Sequence, residues 1–194
     1  FSTIGTGTAD VGASITITEI MQNPSAVSDD EGEWFEILNT GDIGLDLGNW
    51  VIKDAGSDNH TISTSFPILP GEYKVFGKNS NFATNGGVIV DYQYEVLTLA
   101  NSNDELILID PNGTVFDSVA YDNGETFPDP TGASMALVHP DSNNNIGSNW
   151  QEATTSYGSG DLGTPGLPNF SSDIEISIAT IDFDTVYVGQ SGDM

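Results

Sequence analysis

The 194-residue chain has no cysteine. That excludes a disulfide, a thiolate zinc site and a cysteine nucleophile. Positive charge is almost as scarce. Three lysines (Lys53, Lys74, Lys78) and no arginine stand against 29 acidic residues, for a formal net charge of −26. A surface of this sign repels phosphate and lacks the side chains that release counterions from a nucleic-acid backbone, so nucleic acid is not an expected partner. Anionic membranes are disfavoured for the same reason. Cations and partners with basic patches are favoured. No apolar run approaches the ~18 residues of a membrane-spanning helix, so no membrane insertion is expected. The polar opening FSTIGTGTADVGAS reads as a flexible linker over 1–14, and with Phe first the chain is expected to be an excised piece from which any signal peptide has already gone. Scarce Lys and Arg among abundant Asn, Gly, Ser and Thr lead us to expect an excised piece of an extracellular or cell-surface bacterial protein.

At 37% hydrophobic, with nine Phe, six Tyr and three Trp, the chain can build a core. Its apolar residues alternate over short stretches. ITITEI (15–20) places Ile15, Ile17 and Glu19 on one face. EWFEIL (33–38) places Trp34, Glu36 and Leu38 on one face and Glu33, Phe35 and Ile37 on the other. WVIKD (50–54), HTIS (60–63), EYKVFG (72–77), VIVDY (88–92), EVLTL (95–99), ELILID (105–110), TVFDSVAY (114–121), SMALVH (134–139) and NWQEA (149–153) continue the series. Pro111-Asn112-Gly113 between two β-rich runs is a hairpin signal. Leu69-Pro70-Gly71-Glu72 reads as a turn in which Pro presets φ and Gly takes the positive φ. No stretch keeps a helical period over three turns. The expectation is an all-β sandwich or barrel of about nine short strands, with almost no helix. Gly163-Thr164-Pro165-Gly166-Leu167-Pro168-Asn169 is the expected end of the domain. The alternating run at 174–194 is too short to fold alone.

The motifs resemble, in order, those of the lamin-tail domain family in its bacterial form. They are Ile17-Thr18-Glu19-Ile20-Met21 with Asn23-Pro24; Gly32-Glu33-Trp34-Phe35-Glu36-Ile37 with Asn39; and Asp46-Leu47-Gly48-Asn49-Trp50 with Ile52 and Asp54. Leu69-Pro70-Gly71 with Tyr73 and Val75 follows, then Asn103-Asp104-Glu105-Leu106 with Leu108-Ile109-Asp110 and Gly113. Asp117 with Tyr121, and Thr164-Pro165-Gly166 with Asn169, complete the set. The resemblance implies an immunoglobulin-like β-sandwich over 15–169, found in bacteria as an accessory domain beside secreted hydrolases, with no catalytic residues of its own. Ser134-Met135-Ala136-Leu137 lacks the basic residue that often follows this Ser. The chromatin contacts of animal lamin tails do not carry over to so acidic a surface. Ile181-Asp182-Phe183-Asp184-Thr185-Val186-Tyr187-Val188-Gly189 resembles the opening of the immunoglobulin-like repeats of bacterial surface proteins. Residues 170–194 are therefore expected to be a linker and the truncated start of a second β domain.

Candidate chemistry is sparse. Glu33 and Glu36 on one strand point to opposite faces, so they cannot flank one scissile bond. His60 and His139 adjoin turns and read as surface or edge histidines. Asp29, Asp30, Glu31 and Glu33 cluster at a loop entering a strand, the oxygen-rich setting that calcium takes, and are the candidate metal ligands. Asp141-Ser142-Asn143-Asn144-Asn145 with Glu152 imitates part of an EF-hand loop, but its sixth position is Ile146 and no helices flank it. Trp34, Trp50 and Trp150 are expected in the core, although exposed they would form a sugar-stacking platform. The expectation is a non-catalytic extracellular interaction or scaffold module of a larger secreted or surface protein, with no catalytic residues and no cofactor beyond structural calcium. Its partners would be a protein or cell-surface polymer and neighbouring domains of the same chain. The alternative is a carbohydrate-binding accessory domain of a secreted hydrolase.

Overall fold

A computed structural model describes residues 12–169. The N-terminal linker up to residue 11 and the immunoglobulin-like run at 174–194 lie outside the described residues. Among the described residues, the twelve strands are β1 (Ile15–Met21), β2 (Trp34–Asn39), β3 (Leu45–Asp46), β4 (Val51–Lys53), β5 (Asn59–Thr61), β6 (Pro67–Ile68), β7 (Tyr73–Gly77), β8 (Tyr92–Gln93), β9 (Asn103–Ile109), β10 (Val115–Asp122), β11 (Met135–Leu137) and β12 (Trp150–Glu152). One sheet runs β12-β11-β1-β2-β7-β8, antiparallel except for the β7–β8 pair, and the other runs β10-β9-β4-β5. β3 and β6 form a small separate ribbon. Among the described residues, helix is confined to the single turn α1 (Asp29–Gly32) and a 3₁₀ turn at Gly147–Asn149. The EVLTL segment forms no strand, and VIVDY is strand only at its last residue, where β8 begins.

The alternation in β2 sorts its residues as expected. Phe35 and Ile37 enter the main core between the sheets, while Trp34 joins a second cluster with Met21, Val75 and Val88. Phe35 stacks on Phe76 at 4.9 Å and lies 5.9 Å from Tyr94. The second sheet contributes Ile52, Leu106, Leu108, Val119 and Tyr121 to the same core.

β1 departs from simple alternation. The pairing with β2 shifts between Ile17 and Glu19, so Ile17 sits opposite Ile37 and Glu19 opposite Glu36. This β-bulge absorbs Thr18. Ile15, Ile17 and Ile20 stay in the main core, and Glu19 moves to Glu36's side, away from the face expected from strict alternation.

The β9–β10 hairpin forms around Gly113, which adopts φ 84°. Asp110 holds its turn by accepting from the amides of Asn112 and Thr114 at 2.9 and 2.7 Å. The sheets are also tied by a polar link. Asp117 on β10 accepts from the Ile17 amide at 2.6 Å and from Asn144 Nδ2 at 2.7 Å.

The chain then crosses the outer face of the first sheet. Leu162 makes isolated bridges to Ala133 and Ser156, and the segment through Asn169 forms a C-terminal strap over Trp34, Glu19 and Glu36. Trp34 Nε1 donates to the Tyr157 hydroxyl at 3.0 Å, and the rings meet edge-on.

Phe35 is fully buried, so Phe35→Ala should lower unfolding free energy by about 3–5 kcal/mol in urea denaturation. Val115 is 54% exposed at a strand edge, and Val115→Ala should change stability by less than about 0.5 kcal/mol.

Candidate functional site

Three groups of polar side chains stand out, and the first is the acidic loop at 29–33. Gly32 ends α1 where a Cβ would meet Val27 Cγ2 at 2.5 Å and Pro24 Cβ at 2.9 Å. This packing brings the chain tightly round into β2. The four carboxylates have different partners, except that Asp30 and Glu33 share Lys78. Asp29 accepts from Asn101 Nδ2 at 2.9 Å, Asp30 lies 3.4 Å from Lys78 Nζ, and Glu31 accepts from Asn79 Nδ2. Glu33 is buried, accepts from the Leu99 amide at 3.1 Å, and lies 3.7 Å from Lys78 Nζ. No three Asp, Glu or His side chains among the described residues are grouped to hold a metal ion.

Asp29, Asp30, Glu33 and Lys78 instead line, together with Ser28 and residues 98–101, a cleft of about 400 Å³. Burial pushes the Glu33 carboxyl up to about 7, against the Leu99 hydrogen bond and the Lys78 charge, which pull it down. Lys78 was not singled out by motif. The signal available for it was scarcity, because a chain with three cations has few places to put one.

The second group is the pair Glu19 and Glu36, neither of them exposed. Glu19 accepts from the Ser134 hydroxyl and from the Thr164 amide and hydroxyl, both at 2.9 Å. Glu36 accepts from the Thr18 hydroxyl at 2.8 Å and the Gly166 amide at 2.7 Å. Asn169 Nδ2 closes the strap onto the Thr18 carbonyl at 2.6 Å. Burial raises both carboxyls, and the Glu19 charge further pushes Glu36 to about 9. Two anions this close in a dry layer do not both ionise near neutrality. The proton sits on Glu36, because Glu19 has more donors aimed at it. The sequence resemblance had placed Glu19 and Thr164-Pro165-Gly166 in separate motifs, 145 residues apart; the fold joins them.

The third group is the histidines. His60 Nε2 lies 3.1 Å from the Tyr92 hydroxyl, its Nδ1 accepts from the Glu95 amide at 3.4 Å, and burial lowers its pKa. His139 Nδ1 accepts from the Asp141 amide at 3.2 Å on an exposed turn. The EF-hand-like segment is a knot of side chain-to-backbone turns. Asn144 is buried and reaches Ile17 and Asp117, and its carbonyl accepts from Trp150 Nε1. Trp34, Trp50 and Trp150 are all at most 5% exposed, so none offers a face for stacking a sugar.

The pH dependence follows from the buried pair. Between roughly pH 4.5 and 9 the folded chain holds a proton on Glu36 that the unfolded chain releases, so stability falls as pH rises through that window. Glu33 adds to the fall between about 4.5 and 7. Glu36→Gln imitates the protonated form, accepting from Gly166 and donating to Thr18. It should flatten the upper part of the slope in thermal melts, where each kcal/mol appears as roughly 2–4 °C in Tm. An unchanged slope would place the proton elsewhere.

No curated protein matches the chain. The sequence pattern of the Lamin Tail Domain family matches residues 8–123, more than half of the chain, and spans β1 to β10. That family is an immunoglobulin-like family of interaction domains and is generally non-catalytic. The two packed sheets, the β9–β10 hairpin and the matched segment agree, and the chain belongs to the Lamin Tail Domain family.

Proposed function

We propose that this chain is a non-catalytic interaction and scaffold module of a larger secreted or cell-surface bacterial protein. The observation that carries the reading is the use made of its carboxylates. Glu19, Glu36, Asp110, Asp117 and Asp161 each accept from backbone amides of distant or turn segments. They are structural acceptors, which is what a scaffold asks of polar side chains. Glu33 and Glu36 face opposite sides of β2, and the histidines adjoin a tyrosine hydroxyl and an exposed turn. The acidic surface favours partners that present positive charge. Among the described residues no helix is long and apolar enough to cross a membrane. The carbohydrate-binding alternative loses its main support with the burial of all three Trp residues.

The reading predicts no turnover of ester, phosphodiester or glycoside substrates. It also predicts no depletion of the protein by insoluble cellulose, chitin or peptidoglycan at 0.5 M salt. Salt-resistant retention on any of these polysaccharides would favour the carbohydrate-binding reading, and turnover that tracks the purified chain would make it an enzyme.

The calcium expectation for Asp29, Asp30, Glu31 and Glu33 is decided by thermal unfolding at fixed ionic strength in chelator, calcium and magnesium. Carboxylates already engaged by Asn101, Lys78, Asn79 and the Leu99 amide predict equal, small rises with both cations. A rise confined to calcium, near 2.7 kcal/mol at a hundredfold excess over Kd, would instead establish a specific site.

A further inference from the structure

The sequence holds three Asn-Gly pairs: Asn85-Gly86, Asn112-Gly113 and Asn123-Gly124. In such a pair the backbone nitrogen of the second residue meets least hindrance in reaching the preceding carboxamide carbon, because glycine has no Cβ. The three glycines have nearly the same φ, 81°, 84° and 79°, so their own conformation does not separate them. Their hydrogen bonds do.

Asn85 is 2% exposed and its carboxamide is fully engaged. Nδ2 donates to the carbonyls of Asn79 and Val88, both at 2.9 Å, and Oδ1 accepts from the Gly87 and Val88 amides at 3.1 and 3.0 Å. Asn112 is exposed, but Asp110 holds both reacting groups. Asn112 Nδ2 donates to Asp110 Oδ2 at 3.2 Å, and the Gly113 amide donates to the Asp110 carbonyl at 3.0 Å. Ring closure there has to break the hairpin turn.

Asn123 and Gly124 are both exposed. Among the described residues, neither the Asn123 carboxamide nor the Gly124 amide has a hydrogen-bond partner. With φ of 57° and 79° they are the central residues of a primed turn after β10. The turn is closed by the Glu125 amide on the Asp122 carbonyl at 3.4 Å, longer than a good N–H···O bond. The adjacent Asp122 carboxylate is occupied by the Thr126 and Phe127 amides, both at 3.0 Å.

We propose that Asn123 is a site of spontaneous covalent modification, in which the Gly124 nitrogen closes on the Asn123 carboxamide. The Gly124 amide gives its proton to hydroxide or water, and its nitrogen bonds to Asn123 Cγ. The Cγ–Nδ2 bond breaks and ammonia leaves with a proton, giving a succinimide. Water adds to either ring carbonyl and breaks its bond to nitrogen, giving aspartate or isoaspartate. One water is consumed and one ammonia released, with no oxidant or cofactor. Either product adds a negative charge beside Asp122 and Glu125, and Asp129 Cβ lies 3.3 Å from where a Cβ on Gly124 would stand. Isoaspartate also inserts a methylene into the backbone between β10 and Phe127, whose ring is buried in the main core beside Trp150.

The test is peptide mapping of the folded chain during incubation in neutral buffer. Conversion at each pair is read from the amide-to-acid mass gain, and isoaspartate from methylation by a protein isoaspartyl methyltransferase. The Asn123 peptide should convert at least about tenfold faster than the Asn85 and Asn112 peptides, equivalent to ~1.4 kcal/mol in barrier. In denaturant the three should convert at similar rates, because the hydrogen bonds that protect Asn85 and Asn112 are gone. Asn123→Gln, whose longer side chain closes a less favourable ring, should abolish the fast conversion. Conversion of Asn85 or Asn112 as fast as Asn123 in the folded chain would overturn the proposal. The same selectivity in denaturant would also overturn it, because the local sequence and not the fold would then choose the site.

Discussion

Two carboxyl groups facing each other across β1 and β2, out of reach of water, set the terms for much of this molecule. Glu19 and Glu36 are paired in register on the outer face of the larger sheet. A pair of buried acids there is tolerable only if one proton stays and every remaining lone pair finds a donor. The donors come from far along the chain: Ser134 next to β11, and Thr164 and Gly166 in the strap. The bulge at Thr18 serves the same end. It brings Glu19 to Glu36's side and lets the Thr18 hydroxyl reach Glu36. With the strap fastened, Trp34, Met21, Val75 and Val88 gain a cover, and Trp34 gains the Tyr157 hydroxyl as acceptor. The fold thus has a third layer, fixed by polar contacts, over a sandwich built on apolar ones.

The same economy runs through the rest of the chain. A protein with 29 acidic residues and three lysines cannot neutralise its acids with ion pairs. It turns many of them toward backbone amides. Asp46 accepts from Gly48 and Phe66, Asp122 from Thr126 and Phe127, and Asp161 from Ser25 and Ala26. Lys74 is held by Glu72 at 2.7 Å, and Lys78 lies among the carboxylates of the cleft. The surface left over is strongly acidic, which directs the choice of partner toward positive charge and away from nucleic acid.

Much of this was legible in the sequence. Alternation and turn residues gave the strands of the core, because burial on one face imposes a period of two. The Asn-Gly hairpin and the Pro70-Gly71 turn formed where their backbone preferences put them. Three things were hidden. The bulge in β1 depends on one residue being squeezed out of register, which ITITEI does not announce. EVLTL has strand composition but forms no ladder; its Leu97 and Leu99 are buried in the main core while its Leu99 amide goes to Glu33. The grouping of Glu33 with Lys78 and residues 98–101, and of Glu19 with Thr164, needs contacts across 45 to 145 residues that no local pattern carries. The acidic loop was visible as a cluster, but the direction of each carboxylate was not.

The central claim is that one proton is retained between Glu19 and Glu36 and holds the strap in place. The most direct measurement is a ¹³C NMR titration of the side-chain carboxyl carbons of the folded chain. The account predicts that Glu36 stays protonated at neutral pH and titrates near 9, with the Gly166 amide losing its protection from hydrogen exchange as it does. Two ionised carboxylates at pH 7, with the Gly166 amide still protected, would contradict it.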